Sequence, residues 1–243
     1  MGTSLMSPAV PAYTVRRSAR ARRVRIRITA DGEAIVTLPM RAALARADEL
    51  VRAKADWIQL HQARLLEARE RLASRPSLEN GRSLWLRGVP IGVDVETVPV
   101  VRRTRVVPSE DGRRLTIRLD KGDERPVGEI LDPWLRAEAR RAIHEAVDRR
   151  APEVGVVPAR ITIRDQSSRW GSASRRGTLS FSWRLVLAPP DVLDYVVVHE
   201  LAHLRDLSHS ARFWRLVAAH TPHVATSRRW LRDHESELRH ALD

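Results

Sequence analysis

Between Pro190 and Leu204 the chain reads Tyr195-Val196-Val197-Val198-His199-Glu200-Leu201-Ala202-His203-Leu204, an apolar stretch with three ionisable side chains set inside it. Burying a polar or charged group without a partner costs about 2–7 kcal/mol or more. The fold must therefore satisfy His199, Glu200 and His203 from within, by pairing or by a metal. Pro189-Pro190-Asp191 precedes the stretch and supplies a helix start, so the spacing predicts a helix over 192–204. Four residues on a helix advance about 400° and ~6 Å, which puts the two imidazoles side by side and Glu200 about 100° around from His199.

Two histidines in that relation can take adjacent corners of a zinc tetrahedron, and the glutamate between them borders the ion without ligating it. With 9 His in the chain, an accidental H-E-x-x-H has roughly a 2% chance of arising. The plainer reading, two hydrogen-bonded core histidines and a glutamate paired with arginine, is outweighed by this spacing and its apolar setting. The chain has no cysteine, which removes disulfides, thiolate nucleophiles and cysteine-containing zinc clusters. A catalytic zinc takes three protein ligands and leaves a fourth position for water, whose proton a neighbouring carboxylate removes as general base. For the third ligand the nearest candidate is His209, six residues past His203 and beyond Asp206-Leu207-Ser208, where a turn can swing it back; His220, His223 or a carboxylate such as Asp206 or Glu235 are the alternatives.

The 243 residues (27.6 kDa) suffice for one large domain or two small ones and exclude a peptide hormone or a disulfide-stapled mini-fold. Hydrophobic residues are 43% and charged residues 30%, a globular balance, and no apolar run is long enough to span a bilayer. Met1–Ala12 lacks a basic region followed by an apolar one, so a cytoplasmic location is expected, with those residues irregular. Net charge is +13 with a pI near 11.4, which points to polyanions as partners. Yet the basic residues are almost all arginine, with lysine only at Lys54 and Lys121, a skew that GC-rich coding alone would produce. The densest patch, Arg16, Arg17, Arg20, Arg22, Arg23, Arg25 and Arg27, contains no acid and interleaves with Val24, Ile26 and Ile28, which is strand periodicity rather than a basic tail.

An α+β fold follows from the remaining periodicities. Residues 23–28 and 34–38 alternate around Asp31-Gly32 as a hairpin, ended by Pro39. Apolar positions from Ala42 to about Leu72 recur at helical spacing as one long amphipathic helix, broken once at most and stopped by Ser74-Arg75-Pro76-Ser77. Strand character returns over 84–119, with a hairpin at Asp111-Gly112. The polar stretch 121–126 is the expected boundary between a region 13–125 of sheet plus helix and a C-terminal domain 126–243. That domain begins with a helix over 130–147, continues with short strands at 160–164, 169–172 and 178–183, and ends with helices at 192–204, 210–219 and 227–241.

Arg169-Trp170-Gly171-Ser172, Trp183-Arg184-Leu185 with Pro189, the stretch 195–204, and His209 followed by Phe213-Trp214 together resemble the YgjP-like metallopeptidase domain proteins, relatives of the WLM and SprT-type zincins. The resemblance covers most of the chain. It implies a zincin-like minimal metallopeptidase domain over 126–243, with His199, His203 and His209 as zinc ligands and Glu200 catalytic. This chain departs from the family pattern at Ala173, usually Cys, and at Ser182, often Asn; neither is a proposed ligand. Zincin folds also run a sheet edge beside the metal helix for an extended peptide, and residues 178–183 resemble that edge, the alternative being a core strand under the 130–147 helix.

The leading expectation is a zinc metallopeptidase acting on peptide or protein substrates, with Arg169, Tyr195 and His223 as candidates for steadying an oxyanion. A metal-dependent hydrolase of nucleotide phosphoanhydrides is a second expectation, without a glycine-rich phosphate loop to support it. A SprT-like, nucleic-acid-associated protease is a third, and no membrane partner is expected.

Overall fold

The computed structural model describes residues 10–29, 31–74, 78, 83–98, 103–166 and 169–243; the expected irregular N-terminus up to residue 9 and the stop at 75–77 lie outside them. The molecule is mixed α+β, with seven α-helices and three small sheets among the described residues. It divides into two compact units, Met1–Ser74 and Arg75–Asp243.

The first unit is built on β1 (Tyr13–Ser18), β2 (Arg25–Ile28) and β3 (Ala34–Pro39), in the order β1-β3-β2. β2 and β3 form the hairpin legible in the sequence, turning at Gly32, whose φ of +83° an L side chain rarely adopts. β1, not anticipated from its pattern, pairs parallel to β3 on the other side. The expected long helix is two, α1 (Ala45–Ala53) and α2 (Ala55–Ala73), because Lys54 leaves helical geometry at φ −121°, ψ 14°. Ala34, Val36 and Leu38 meet Ala47, Val51 and Ile58 in a fully buried core.

The second unit carries β4 (Leu84–Leu86), β5 (Val89–Val98), β6 (Arg105–Pro108) and β7 (Arg114–Asp120) in the order β4-β5-β7-β6. The 28-residue α3 (Val127–Val154) follows, then β8 (Arg160–Arg164), β9 (Gly171–Ala173) and β10 (Thr178–Ser182). A 3-10 turn at Trp183–Leu187 leads into α4 (Pro190–His203), α5 (Ala211–His220), α6 (Val224–Asp233) and α7 (Glu235–Arg239). The break at 121–126 is therefore not where the chain divides. Leu84, Ile91, Leu115 and Ile117 share one core with Ile130, Leu135 and Ile143 of α3 and with Val197 and Leu201 of α4. Each such side chain contributes about 1.5–3 kcal/mol through burial. Strand periodicity gives the buried face but not the partner that covers it, and the partner here is a helix beyond the 121–126 break.

α4 is held from two sides. Pro190 opens the helix, where its missing N–H costs nothing. Ahead of it the β4–β5 turn docks on the 3-10 turn, with the Arg87 and Gly88 amides donating to the Val186 and Leu187 carbonyls (2.8 and 2.9 Å). A Cβ on Gly88 would stand 2.6 Å from Pro189, so only glycine allows this approach. On the α3 side, buried Asp194 accepts hydrogen bonds from Arg149 (2.8 Å) and Arg150 (2.8–3.2 Å). Burial raises the Asp194 carboxyl, but the bonds from Arg150 and Arg149 outweigh it and hold the group below the ordinary carboxylate value. Its stabilisation is thus present above about pH 4 and lost as pH falls through the lowered folded value. Asp194→Ala is expected to cost about 2–3 kcal/mol, less than a fully enclosed pair because Arg149 is half exposed, with the loss vanishing in acid denaturation melts.

Candidate metal centre

His199 and His203 project from one face of α4, one turn apart, with ring centroids 4.8 Å apart. After His203 the chain reverses within six residues, and Asp206 builds the reversal. Its carboxylate accepts from the Ser208 amide (2.9 Å) and hydroxyl (2.7 Å) and from the Ser210 hydroxyl (2.6 Å). Those bonds, Ser210 first, pull the Asp206 carboxyl down to about 2. Ser210 in turn caps α5 by accepting from the Phe213 amide (3.2 Å). The loop so formed carries His209 back over α4, where its Nε2 lies 3.2 Å from His199 Nε2. One nitrogen from each of His199, His203 and His209 falls within 4.8 Å of the others, a set that could hold a metal ion.

The donor set fits such an ion. Two nitrogens bound at ~2.05 Å in a tetrahedron stand ~3.3 Å apart, and the His199–His209 pair is already there. His203 Nδ1 donates to the Asp206 carbonyl (3.0 Å), which fixes the tautomer that frees Nε2. Burial, with the neighbouring histidines, pulls His199 down to about 3, so the ring is neutral with a lone pair to offer. Phe213, fully buried, stacks on His203 (centroids 4.4 Å) and meets His199 and His209 edge-on, and Trp214 stacks on His209 (5.7 Å).

Glu200 is only 5% exposed, and its Oε2 is buried without a hydrogen-bond partner. Burial pushes its carboxyl up to about 8, opposed by the charge of Arg169. The carboxyl lies against the backbone of Gly171 in β9, where a Cβ would stand 2.6 Å from Glu200 Cγ and Oε1. Gly171 and Phe213 fall within motifs visible in the sequence, but their roles were missed there. The only signal was position: Phe213 follows His209 by one helical turn.

The other candidate ligands are engaged elsewhere. His220 bonds the Leu216 and Glu153 carbonyls through its two ring nitrogens, Glu235 accepts from Arg239, and Asp206 shapes the loop. Of the three oxyanion candidates, Tyr195 lies beside His199 (centroids 5.9 Å), Arg169 faces Glu200, and His223 sits beside Asp191 instead. The strand 178–183 is not an exposed edge. β10 is central in the order β8-β10-β9, with Leu179 and Phe181 fully buried, so it is a core strand. β9 is the edge strand beside α4.

A helix-borne pair of imidazoles, a third from a reversed loop and a buried carboxylate alongside define the class of a metal-dependent hydrolase. The YgjP-like metallopeptidase domain matches residues 22–234, and the chain belongs to that family. Among curated proteins, none matches. A crystal structure of the metallopeptidase zymogen of Pyrococcus abyssi abylysin is similar at 22% identity with a TM-score of 0.35, covering 38% of this chain and 95% of that one. Among the described residues, no helix is long and apolar enough to cross a membrane.

Proposed function

We propose that the protein is a zinc-dependent peptidase in which His199, His203 and His209 hold the ion and Glu200 is the general base. The observation that carries this reading is the convergence of three imidazoles beside a buried glutamate whose Oε2 has no hydrogen-bond partner. Zinc, when bound, supplies a Lewis acid that acidifies water and polarises the scissile carbonyl. Glu200 accepts the proton of the attacking water as its oxygen bonds to the carbonyl carbon. It returns that proton to the amine nitrogen as the C–N bond breaks. Tyr195, beside His199, and Arg169, whose charge acts on Glu200, are the candidates for steadying a developing oxyanion.

Among the described residues the outer edge of β9 is unpaired, which supports a peptide as substrate. Trp170 O accepts from Ser182 N (2.8 Å) and Ser174 N donates to Thr178 O (2.9 Å), so these groups face β10. Alternation turns the Gly171 and Ala173 amides and carbonyls outward, where an extended peptide adds as a further strand next to Glu200. A zincin-like arrangement of α4, β9 and the loop carrying His209 belongs to the same reading.

The test is metal content and cleavage of a random peptide library by the purified protein. One zinc per chain and amide-bond products are expected, and His203→Ala loses both. Chelation is expected to lower the thermal midpoint on the order of 10 °C relative to protein in zinc 1,000-fold above its dissociation constant, a stabilisation of about 4 kcal/mol. Absence of bound metal in a folded, zinc-supplemented preparation would sink the reading.

A further inference from the structure

Arginine excess alone says little in a chain this rich in arginine, but its distribution says more. Residues 1–74 carry fourteen basic and seven acidic side chains. Seven of the basic ones fall between Arg16 and Arg27, a stretch with no acid, and the other seven are balanced by the seven acids. Coding bias explains arginine in place of lysine; it does not segregate charge.

The sheet then sorts these side chains by face. Val15, Ile26 and Ile28 share register with Val36 or Ala34 and pack into the core. Arg16 and Arg25 both pair with Thr37, and Arg27 with Ile35, so all three stand on the opposite, open face and all are exposed. Strands ~4.8 Å apart place Arg16 and Arg25 in one row ~10 Å across, with Arg27 ~7 Å along β2 from Arg25. Exposed Arg20, Arg22 and Arg23 lie on the segment linking β1 to β2. None of these six has an acidic partner among the described residues, whereas Arg69 of the same unit pairs with Asp31. Arg17 is different: its guanidinium is bonded to the Pro39, Met40 and Ala42 carbonyls. The Glu33 carboxylate at the β2–β3 turn accepts from the Thr14 hydroxyl.

We propose that this open sheet face binds the sugar-phosphate backbone of nucleic acid, with Arg16, Arg25 and Arg27 on the phosphates and Arg20, Arg22 and Arg23 extending the contact. Guanidinium forks match phosphate oxygens in pairs, and three unpaired ones on the open face, with three more exposed on the adjoining segment, repel each other until a polyanion neutralises them. The face carries no aromatic ring on which a base could stack, so the contact is to the backbone and independent of sequence. Among the described residues, the apolar side chains that share this face, Ile35 and Pro39, are part-buried rather than protruding like those that anchor a basic surface in a lipid interface.

The experiment is fluorescence anisotropy with a labelled random-sequence DNA duplex and the matching single strand, across 50–200 mM salt, using the full chain and R16Q/R25Q/R27Q. The variant is expected to bind the duplex about 100-fold or more weakly at 0.1 M salt. The slope of log K against log salt should be shallower by about 2–3, at ~0.9 per lost phosphate contact. R16K/R25K/R27K should restore most of the affinity, and Glu200→Gln should bind like the parent, which separates this surface from the hydrolytic site. Equal affinity and slope in R16Q/R25Q/R27Q, with its thermal midpoint unchanged, would overturn the proposal. So would loss of binding to phosphatidylserine vesicles on the same substitutions in a protein that ignores both DNAs.

Discussion

Glu200→Gln is expected to lower peptide hydrolysis about 10³-fold, within the 10²–10⁴-fold typical of a positioned proton acceptor, while zinc content stays at one per chain. The amide keeps the shape of the carboxylate but cannot take a proton from water. The same substitution is expected to hold or raise the thermal midpoint, because the native carboxylate is 5% exposed with an unpartnered Oε2. Burial pushes that carboxyl up to about 8, so the gain is expected above that pH, where the native group is ionised and its removal relieves a desolvation cost. Activity and stability moving in opposite directions is the signature of a side chain kept for chemistry. A glutamine variant that retained hydrolysis would eliminate Glu200 as the base; one that lost activity by melting would make it structural.

The second large effect is expected at a residue that touches no ion. In Gly171→Ala the new methyl would stand 2.6 Å from Glu200 Cγ and Oε1 and 2.9 Å from Cδ, closer than nonbonded atoms tolerate. β9 is hydrogen-bonded to β10 through its neighbours and cannot retreat freely, so the Glu200 side chain must swing. A loss of about 10²-fold in kcat is expected, with metal content unchanged and a stability cost of about 1–3 kcal/mol. In a Glu200→Ala background the clash is gone, so adding Gly171→Ala should cost no further activity. That non-additivity, measured as a double-mutant cycle, reads the contact directly. Full activity in Gly171→Ala would show that the carboxylate does not need this seat.

The site was legible in proportion to how local its geometry is. His199 and His203 share one helix, and 3.6 residues per turn fixes their relation before any packing occurs. His209 was less visible: spacing favoured it as the nearest histidine past a turn at Asp206-Leu207-Ser208, but left His220, His223, Asp206 and Glu235 as alternatives until the family resemblance strengthened the choice. The loop that returns it depends on Asp206 bonding Ser208 and Ser210, which is turn chemistry rather than periodicity. The Gly171 backbone against Glu200 could not be anticipated, because that contact joins a strand and a helix almost thirty residues apart.

Sequence alone determined the elements whose physics is local: the β2–β3 hairpin around Gly32, the amphipathic helices, the helix bearing two imidazoles and a carboxylate, and the concentration of arginine without acids at residues 16–27. Tertiary structure decided which elements are neighbours. It joined β4–β7 to α3 and so moved the division of the chain to Ser74, put β10 in the middle of its sheet and β9 at the edge, and folded His209 onto α4. The reason is that periodicity specifies which face of an element is apolar, whereas the partner that covers that face is selected by packing across the whole chain.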